Sequence, residues 1–314
     1  MTTPANVVPE SLDSLRIAPA VLSATRPLYW SIRRELWENR SIYVAPLAVA
    51  ALGMLGFLIS LIGLPRSVRE LTALDPAHQR IMLAMPYSHA AWLLILTAFV
   101  VGMFYSLDAL HGERRDRSVL FWKSLPVSDL TTVLSKASIP FVVLPLLVFA
   151  IIVTLQLIML LLSTAVLMTS GAGVVTLWTH LPLFQMQLVL LYGLAVLALW
   201  HAPLYAWLLF VSGWARRATF LWAVLPPLAI GVFEKIAFHT SYFGSLLHGR
   251  LSGFAAEAFA FKGQDGVPVD PHFIPLTQLT PAKFLATPGL WIGLGVAAIF
   301  LAAAVRLRRY REPI

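Results

Sequence analysis

The chain has 314 residues, of which 59% are hydrophobic and 12% charged, with a formal charge of +8 and no cysteine; a soluble domain carries roughly 25% charged residues. Together with a mean hydropathy of +0.79, this excludes a soluble globular protein, and the missing thiols exclude disulfides, thiol catalysis and thiolate metal sites. The basic excess reads as membrane topology and attraction to anionic lipid headgroups rather than as nucleic-acid binding.

Residues 1–25 are a mixed, Pro-containing tail. No basic segment leads into an apolar core there, so no cleaved signal peptide is expected. Residues 26–40, RPLYWSIRRELWENR, bring Leu28, Tyr29, Ile32, Leu36 and Trp37 near one another at helical spacing, opposite Arg33, Arg34 and Glu38. An elbow helix lying in the membrane interface satisfies that pattern, and so does a plain flank anchored by Trp and Arg. Beyond it, residues 41–65, 81–107, 137–215, 218–233 and 284–305 contain no Asp, Glu, Lys or Arg. A helix needs about 20 apolar residues to cross a hydrocarbon core roughly 30 Å thick, and the third run is long enough for two crossings. The expectation is an all-α integral membrane protein with a transmembrane domain over residues 41–305. Its six spans fall near residues 41–64, 89–110, 138–167, 186–212, 219–239 and 288–305, and a basic tail follows at 306–314.

Orientation follows from where basic residues collect, because they are retained on the cytoplasmic side. Arg16, Arg26, Arg33, Arg34 and Arg40 precede the first span. Arg114, Arg115, Arg117, Lys123 and Lys136 lie between spans two and three, Arg216 and Arg217 between four and five, and Arg306, Arg308, Arg309 and Arg311 after the sixth. These are 16 of the 23 basic residues, and they place both termini in the cytoplasm. The largest outer loop, residues 240–287, begins with an apolar half anchored by Phe243, Leu246, Leu247, Phe254, Phe259 and Phe261, expected to rest on or dip into the outer leaflet. Its second half, GQDGVPVDPHFIP, is turn-forming.

Ionisable groups inside spans are costly and therefore candidates for a gate or pathway. Asp108 and His111 sit at the inner end of the second span, where either could relay motion or simply face water. His201 precedes Pro203, which removes a backbone donor and can kink the fourth span; a hydrogen bond to a neighbouring helix and contact with substrate are both open to this imidazole. Glu234 lies only about 25 Å along a helix from Arg217, short of the membrane core. With Pro226 and Pro227 in the same span, a bent or broken helix is expected there. Gly289 and Gly293 form a GxxxG pattern that permits close packing.

The segment HGERRDRSVLFWKSLPVSDLTTVLSKA, residues 111–137, interrupts the apolar chain with a compact charged and aromatic stretch. Val119, Trp122 and Leu125 recur at three-residue intervals, Pro126 stops the first helix, and Ser128 is the expected N-cap of a second. A Phe121, Trp122 and Leu125 cluster edged by Arg114, Arg117 and Lys123 suits docking into a protein groove, or lying flat on lipid. The pattern of Glu113, Arg114, Ser118, Leu120, Leu125, Pro126, Val127, Ser128 and Lys136 resembles the loop of the membrane subunit of ABC-2 type ATP-binding-cassette transporters. The chain departs from that pattern with Ser135 before the lysine and with Phe121-Trp122-Lys123 in the middle.

The resemblance implies six spans with an N-terminal interfacial helix and a cytoplasmic coupling helix. It also implies a permease that moves substrate outward while a separate subunit hydrolyses ATP. The coupling surface would then comprise Glu113, Arg114, Arg117, Ser118, Trp122, Leu125, Pro126 and Asp129. A second permease subunit, identical or not, and surrounding membrane lipid would be the other partners, in a bacterial inner membrane, with no nucleic acid. No Gly-Lys dipeptide occurs, so the chain lacks a P-loop, and ATP and magnesium would be held by the partner ATPase.

Two rival classes are an ion-coupled transporter or channel, which favours several buried carboxylates or arginines in the spans, and an intramembrane enzyme. The chain lacks an Asp-Asp pair, an HExxH motif and a Glu-Glu pair, which argues against magnesium-dependent prenyl transfer and metalloproteolysis. The native chain has no cysteine, so single cysteines at Ser118 and Gln264 give a clean topology test. They should react with an impermeant maleimide from opposite sides of the membrane; labelling from one side overturns the arrangement.

Overall fold

The structure, a computed structural model, describes residues 25–71, 75–116, 118, 127–171, 174–260 and 274–310. Every regular element among these is helical, and the sole extended pairing is a single bridge between Phe259 and Leu279. Six helical stretches are long and apolar enough to cross a membrane, so the chain is an all-α membrane protein.

Helix α1 (Thr25–Glu38) leads into the first span, α2 (Ser41–Ser60). After the short α3 (Leu64–Leu71), the second span α4 runs from Pro76 to Asp108. That helix starts well before the expected position 89. A charge-based ruler stops at Arg80, whereas Leu83, Ala84 and Tyr87 are buried and tie the extra turns to the bundle. Tyr87 Oη lies 3.3 Å from Ser163 Oγ, and its carbonyl accepts from Gln156 Nε2 at 3.0 Å.

A short α5 (His111–Arg115) follows the second span. The third span is built from α6 (Asp129–Ser138), a π-helical turn at Ile139–Val143, and α7 (Leu144–Ser170). The wide turn sits where Pro140 and Pro145 remove two backbone donors. Ser128 caps α6 as expected, accepting from Thr131 N at 3.0 Å, and Gly171 ends α7 in the left-handed region at φ 64°.

After α8 (Val174–His180), the fourth span comes in two pieces, α9 (Leu183–Trp200) and α10 (Ala202–Trp214). The break falls at His201, where Pro203 occupies the first turn of α10 and its missing donor costs nothing. The fifth span, α11 (Thr219–Phe238), runs as one helix through Pro226 and Pro227, which excludes the break but not the bend among the two expectations. Its only buried residue is Ala223, so almost its whole circumference is apolar and outward-facing.

The large loop supplies α12 (Tyr242–Ser252), α13 (Phe254–Ala258) and α14 (Pro281–Ala286) before the sixth span, α15 (Pro288–Tyr310). The loop folds back on the bundle, with Ala258, Phe259, Phe284 and Leu290 packed against Val196 and Trp200. The GxxxG pattern accommodates a side chain rather than a helix. Arg250 donates to the Gly289 carbonyl and stacks 4.7 Å from the Trp200 ring centroid. A Cβ at Gly293 would collide with its guanidinium.

The main core, including Phe57, Leu94, Ile152 and Met159, lies between the first three spans. The most extensive helix pairing is α10 against α15, where Trp207, Phe210 and Phe300 form an aromatic cluster with centroids 5.3–5.8 Å apart.

Candidate functional site

At the end of the bundle that carries α1 and the last turn of α15, buried charges from four elements meet. The Glu35 side chain is fully buried. Its Oε1 accepts from Arg34 Nη2 at 2.7 Å and Lys136 Nζ at 2.9 Å, and its Oε2 from the Tyr105 hydroxyl at 2.8 Å. Glu113 Oε1 lies 2.8 Å from Arg34 Nη2 and 3.1 Å from Lys136 Nζ. Its Oε2 pairs with Arg308 Nη1 at 2.8 Å, and Arg308 Nε reaches Asp129 Oδ1 at 3.1 Å. Glu35, Glu113 and Asp129 thus balance Arg34, Lys136 and Arg308. Balance matters here, because an unpaired charge away from water costs several kcal/mol, whereas a charge with well-placed partners is tolerated.

The cluster fastens α5 to α1, α6 and α15, and a second set of bonds fastens it to the fourth span. Ser212 Oγ accepts from both Leu110 N and His111 N at 2.9 Å, and Arg114 Nη1 donates to the carbonyls of Gly213 and Ala215 at 2.8 and 3.3 Å. These carbonyls end α10, where the helix dipole favours a cation. Arg114 was expected at the exposed rim of the docking patch. Instead it is buried, because the end of α10 offers a set of acceptors with no helical partners.

Of the other expected coupling residues, Asp129 belongs to the cluster and Ser118 Oγ is 3.4 Å from the Glu113 carbonyl. Arg117, Trp122, Leu125 and Pro126 lie outside the described residues. Arg34 and Arg308 also differ from expectation: Arg34 turns inward toward Glu113, and Arg308 is helical and buried rather than part of a free tail. On α1, Ile32 and Leu36 do pack against the core, while Tyr29 and Trp37 stay exposed and Arg33 lies over the Trp30 and Trp37 rings.

The candidate pathway residues do not converge. Asp108 is exposed at the end of α4. Glu234 caps α12, accepting from Tyr242 N at 2.6 Å, Phe243 N at 2.8 Å and the Thr240 hydroxyl at 2.8 Å. His201 is buried at the helix break, with Nδ1 3.0 Å from the Leu197 carbonyl and Nε2 3.4 Å from that of Leu251. Pro203 supports that break. Among the described residues, no three His, Asp or Glu side chains are placed to hold a metal ion. Comparison with protein-family models, curated proteins and solved structures gives no match in any of the three.

Sequence reading missed Glu35, and named Lys136 only in the loop pattern and among the inner basic residues, not as a partner of a buried carboxylate. A faint signal existed: each is an ionisable residue at the edge of an apolar segment, inside a helical pattern that otherwise buries hydrocarbon. Burial alone would raise the Glu35 carboxyl, but the Lys136 ammonium, Arg34 and the Tyr105 hydroxyl hold it below its ordinary value of 4.5. A folded-state value below the unfolded one stabilises the fold above the unfolded value, and the benefit is lost as pH falls through the folded one. The thermal midpoint of the purified protein should therefore hold from about pH 7 to about pH 5 and drop once the pH falls below the ordinary carboxylate value. Glu35→Gln should flatten that drop, and an unchanged profile in the variant would contradict the assignment.

Glu113→Ala takes one carboxylate partner from each of Arg308, Lys136 and Arg34, leaving the buried cluster with an uncompensated positive charge, and should cost about 3–5 kcal/mol in unfolding experiments. Glu70→Ala, in the exposed Arg66–Glu70 pair, should leave the midpoint unchanged.

Proposed function

We propose that this chain is the membrane-spanning subunit of an ATP-driven exporter of the ABC-2 type, working with a separate ATPase that docks on residues 113–129. The observation that carries the reading is the buried charge cluster. Glu113, at the start of the candidate docking segment, is bonded to residues of α1, α6 and α15, and Asp129, at its end, to α15. Arg114 adds the end of α10. A push on this segment therefore reaches α1 and the third, fourth and sixth spans through short, directional contacts. Coupling between distant sites requires an element whose position both sites bias, and Glu113, Arg114 and Asp129 tie the two ends of this segment to the bundle.

In this reading Trp122 and Leu125 form the apolar anchor in the ATPase groove, Arg117 and Lys123 its polar rim, and Pro126 the bend. Arg114 and Glu113 serve as the mount rather than the contact. ATP and magnesium belong to the ATPase, and a second permease subunit completes the assembly. The resemblance of the segment to the ABC-2 loop supports the same arrangement.

Replacing a central aromatic anchor with alanine costs about 2 kcal/mol of binding, a factor near thirty in affinity. Trp122→Ala should accordingly weaken ATPase association by about that factor and uncouple substrate-stimulated hydrolysis, leaving insertion and span number intact. Co-purification and ATP turnover measure both effects. Wild-type assembly and turnover in a Trp122→Ala, Leu125→Ala double variant overturn the reading.

A further inference from the structure

Away from the charge cluster, the bundle encloses a cavity of about 560 Å³ between the second, third and fourth spans, with Leu251 and Phe254 of the large loop completing its wall. A second cavity of about 320 Å³ adjoins it, sharing Trp92, Ile95, Leu197 and Phe254. Both volumes lie in the range of roughly 300–1,000 Å³ usual for small-molecule sites. Neither wall contains an Asp, Glu, Lys or Arg. A charged group would enter without a counter-charge, which is strongly unfavourable in this setting.

Most polar groups of the walls are already engaged. His201 has a carbonyl oxygen near each ring nitrogen, and the Gln156 amide is bonded to Tyr87 and Gln187. Tyr205 differs. It is more than nine-tenths buried and lines the larger cavity, yet its hydroxyl makes no hydrogen bond among the described residues. Its ring is held by Phe99 and Phe141, with centroids 6.3 and 5.9 Å away, and lies close against Gly102. A side chain at Gly102 would meet Tyr205 Cε1 at 3.1 Å and the hydroxyl at 3.3 Å, so the glycine leaves room for the phenol. The hydroxyl is not itself sealed off from its surroundings, and with no partner among the described residues it can donate to or accept from a molecule in the cavity.

Access is lateral. Trp92, Leu93 and Leu96 line the larger cavity and are also 45, 46 and 58% exposed on the flank of the second span. The opening therefore lies among side chains that face hydrocarbon in a bilayer, not at a water-facing mouth.

We propose that this cavity binds a neutral lipid bearing a single hydroxyl group, taken laterally from the bilayer, with its apolar body between the second and fourth spans and its hydroxyl on Tyr205. Binding is a property of this chain alone, so it stands or falls separately from the ATPase assignment.

The test uses the full chain in phosphatidylcholine vesicles and a photoactivatable long-chain alcohol, a diazirine analogue of hexadecanol. Labelling should saturate, map by mass spectrometry to the walls near Trp92, Leu197 and Phe254, and be displaced by hexadecanol at least tenfold more effectively than by hexadecyl phosphate. Tyr205→Phe, which keeps the ring, should weaken the alcohol about fivefold, the size of one net hydrogen bond, without weakening the matching diazirine alkane. Leu96→Trp, at the exposed mouth, should slow labelling by both probes while leaving the fold intact. Non-saturating labelling spread over the outward face of the fifth span, equal competition by the phosphate, or an alcohol affinity unchanged in Tyr205→Phe would each overturn the proposal.

Discussion

Glu113 and Glu35 share one ammonium, Lys136, and one guanidinium, Arg34, in a place largely shielded from water. Charges so placed demand partners at hydrogen-bond distance, and the six groups of the cluster come from residues as far apart in sequence as 34 and 308. The arrangement of the whole end of the bundle follows from that demand. Helix α1 turns Arg34 inward, the second span ends in a turn that hangs Glu113 over α6, and the sixth span continues as helix until Arg308 reaches both Glu113 and Asp129. Apolar contacts alone would allow these helices to slide and rotate against one another, since in lipid they gain little by exchanging one hydrocarbon neighbour for another. Ion pairs with fixed geometry do not allow it.

The other end of the molecule is organised differently. The large loop packs apolar and aromatic side chains onto the half of the fourth span away from the charge cluster, and its polar contacts go mostly to backbone. Trp200 Nε1 donates to the Gly249 carbonyl at 3.2 Å, the Tyr192 hydroxyl to that of Ala258 at 3.2 Å, and Arg250 to that of Gly289. Such contacts hold the loop in place beside a single part-exposed ion pair, Lys283 with Glu257 at 3.4 Å. The chain thus has an end held by buried ion pairs and an end around the cavities held mainly by apolar packing. The break at His201 lies between them, its ring wedged between Phe99 and Phe254 with centroids 5.1 and 5.7 Å away.

Composition and hydropathy were enough to establish the class of protein and the number of spans, because the need to match a hydrocarbon slab with backbone-satisfied helices acts on each segment separately. Local chemistry likewise located the Ser128 cap and the disturbance around His201 and Pro203. The fifth span stays one helix through Pro226 and Pro227 although Ala223 is its only buried residue, and α4 and α15 extend past the charge-based limits because Tyr87 and Arg308 are buried against the bundle.

What only the tertiary structure decided is which polar groups are partners. Arg114 and Arg117 look alike in sequence, both basic and both in a segment rich in charge, yet Arg114 is spent on the carbonyls that end α10. Glu234, a candidate gate by its depth, is a cap for a helix that begins eight residues later. Glu35 and Lys136, 101 residues apart, meet at 2.9 Å in the buried cluster. Hydrophobicity is a sum over neighbouring residues and can be read along the chain. Pairing of charges and of hydroxyls depends on distances of about 3 Å between atoms that the chain brings together only after the helices have packed.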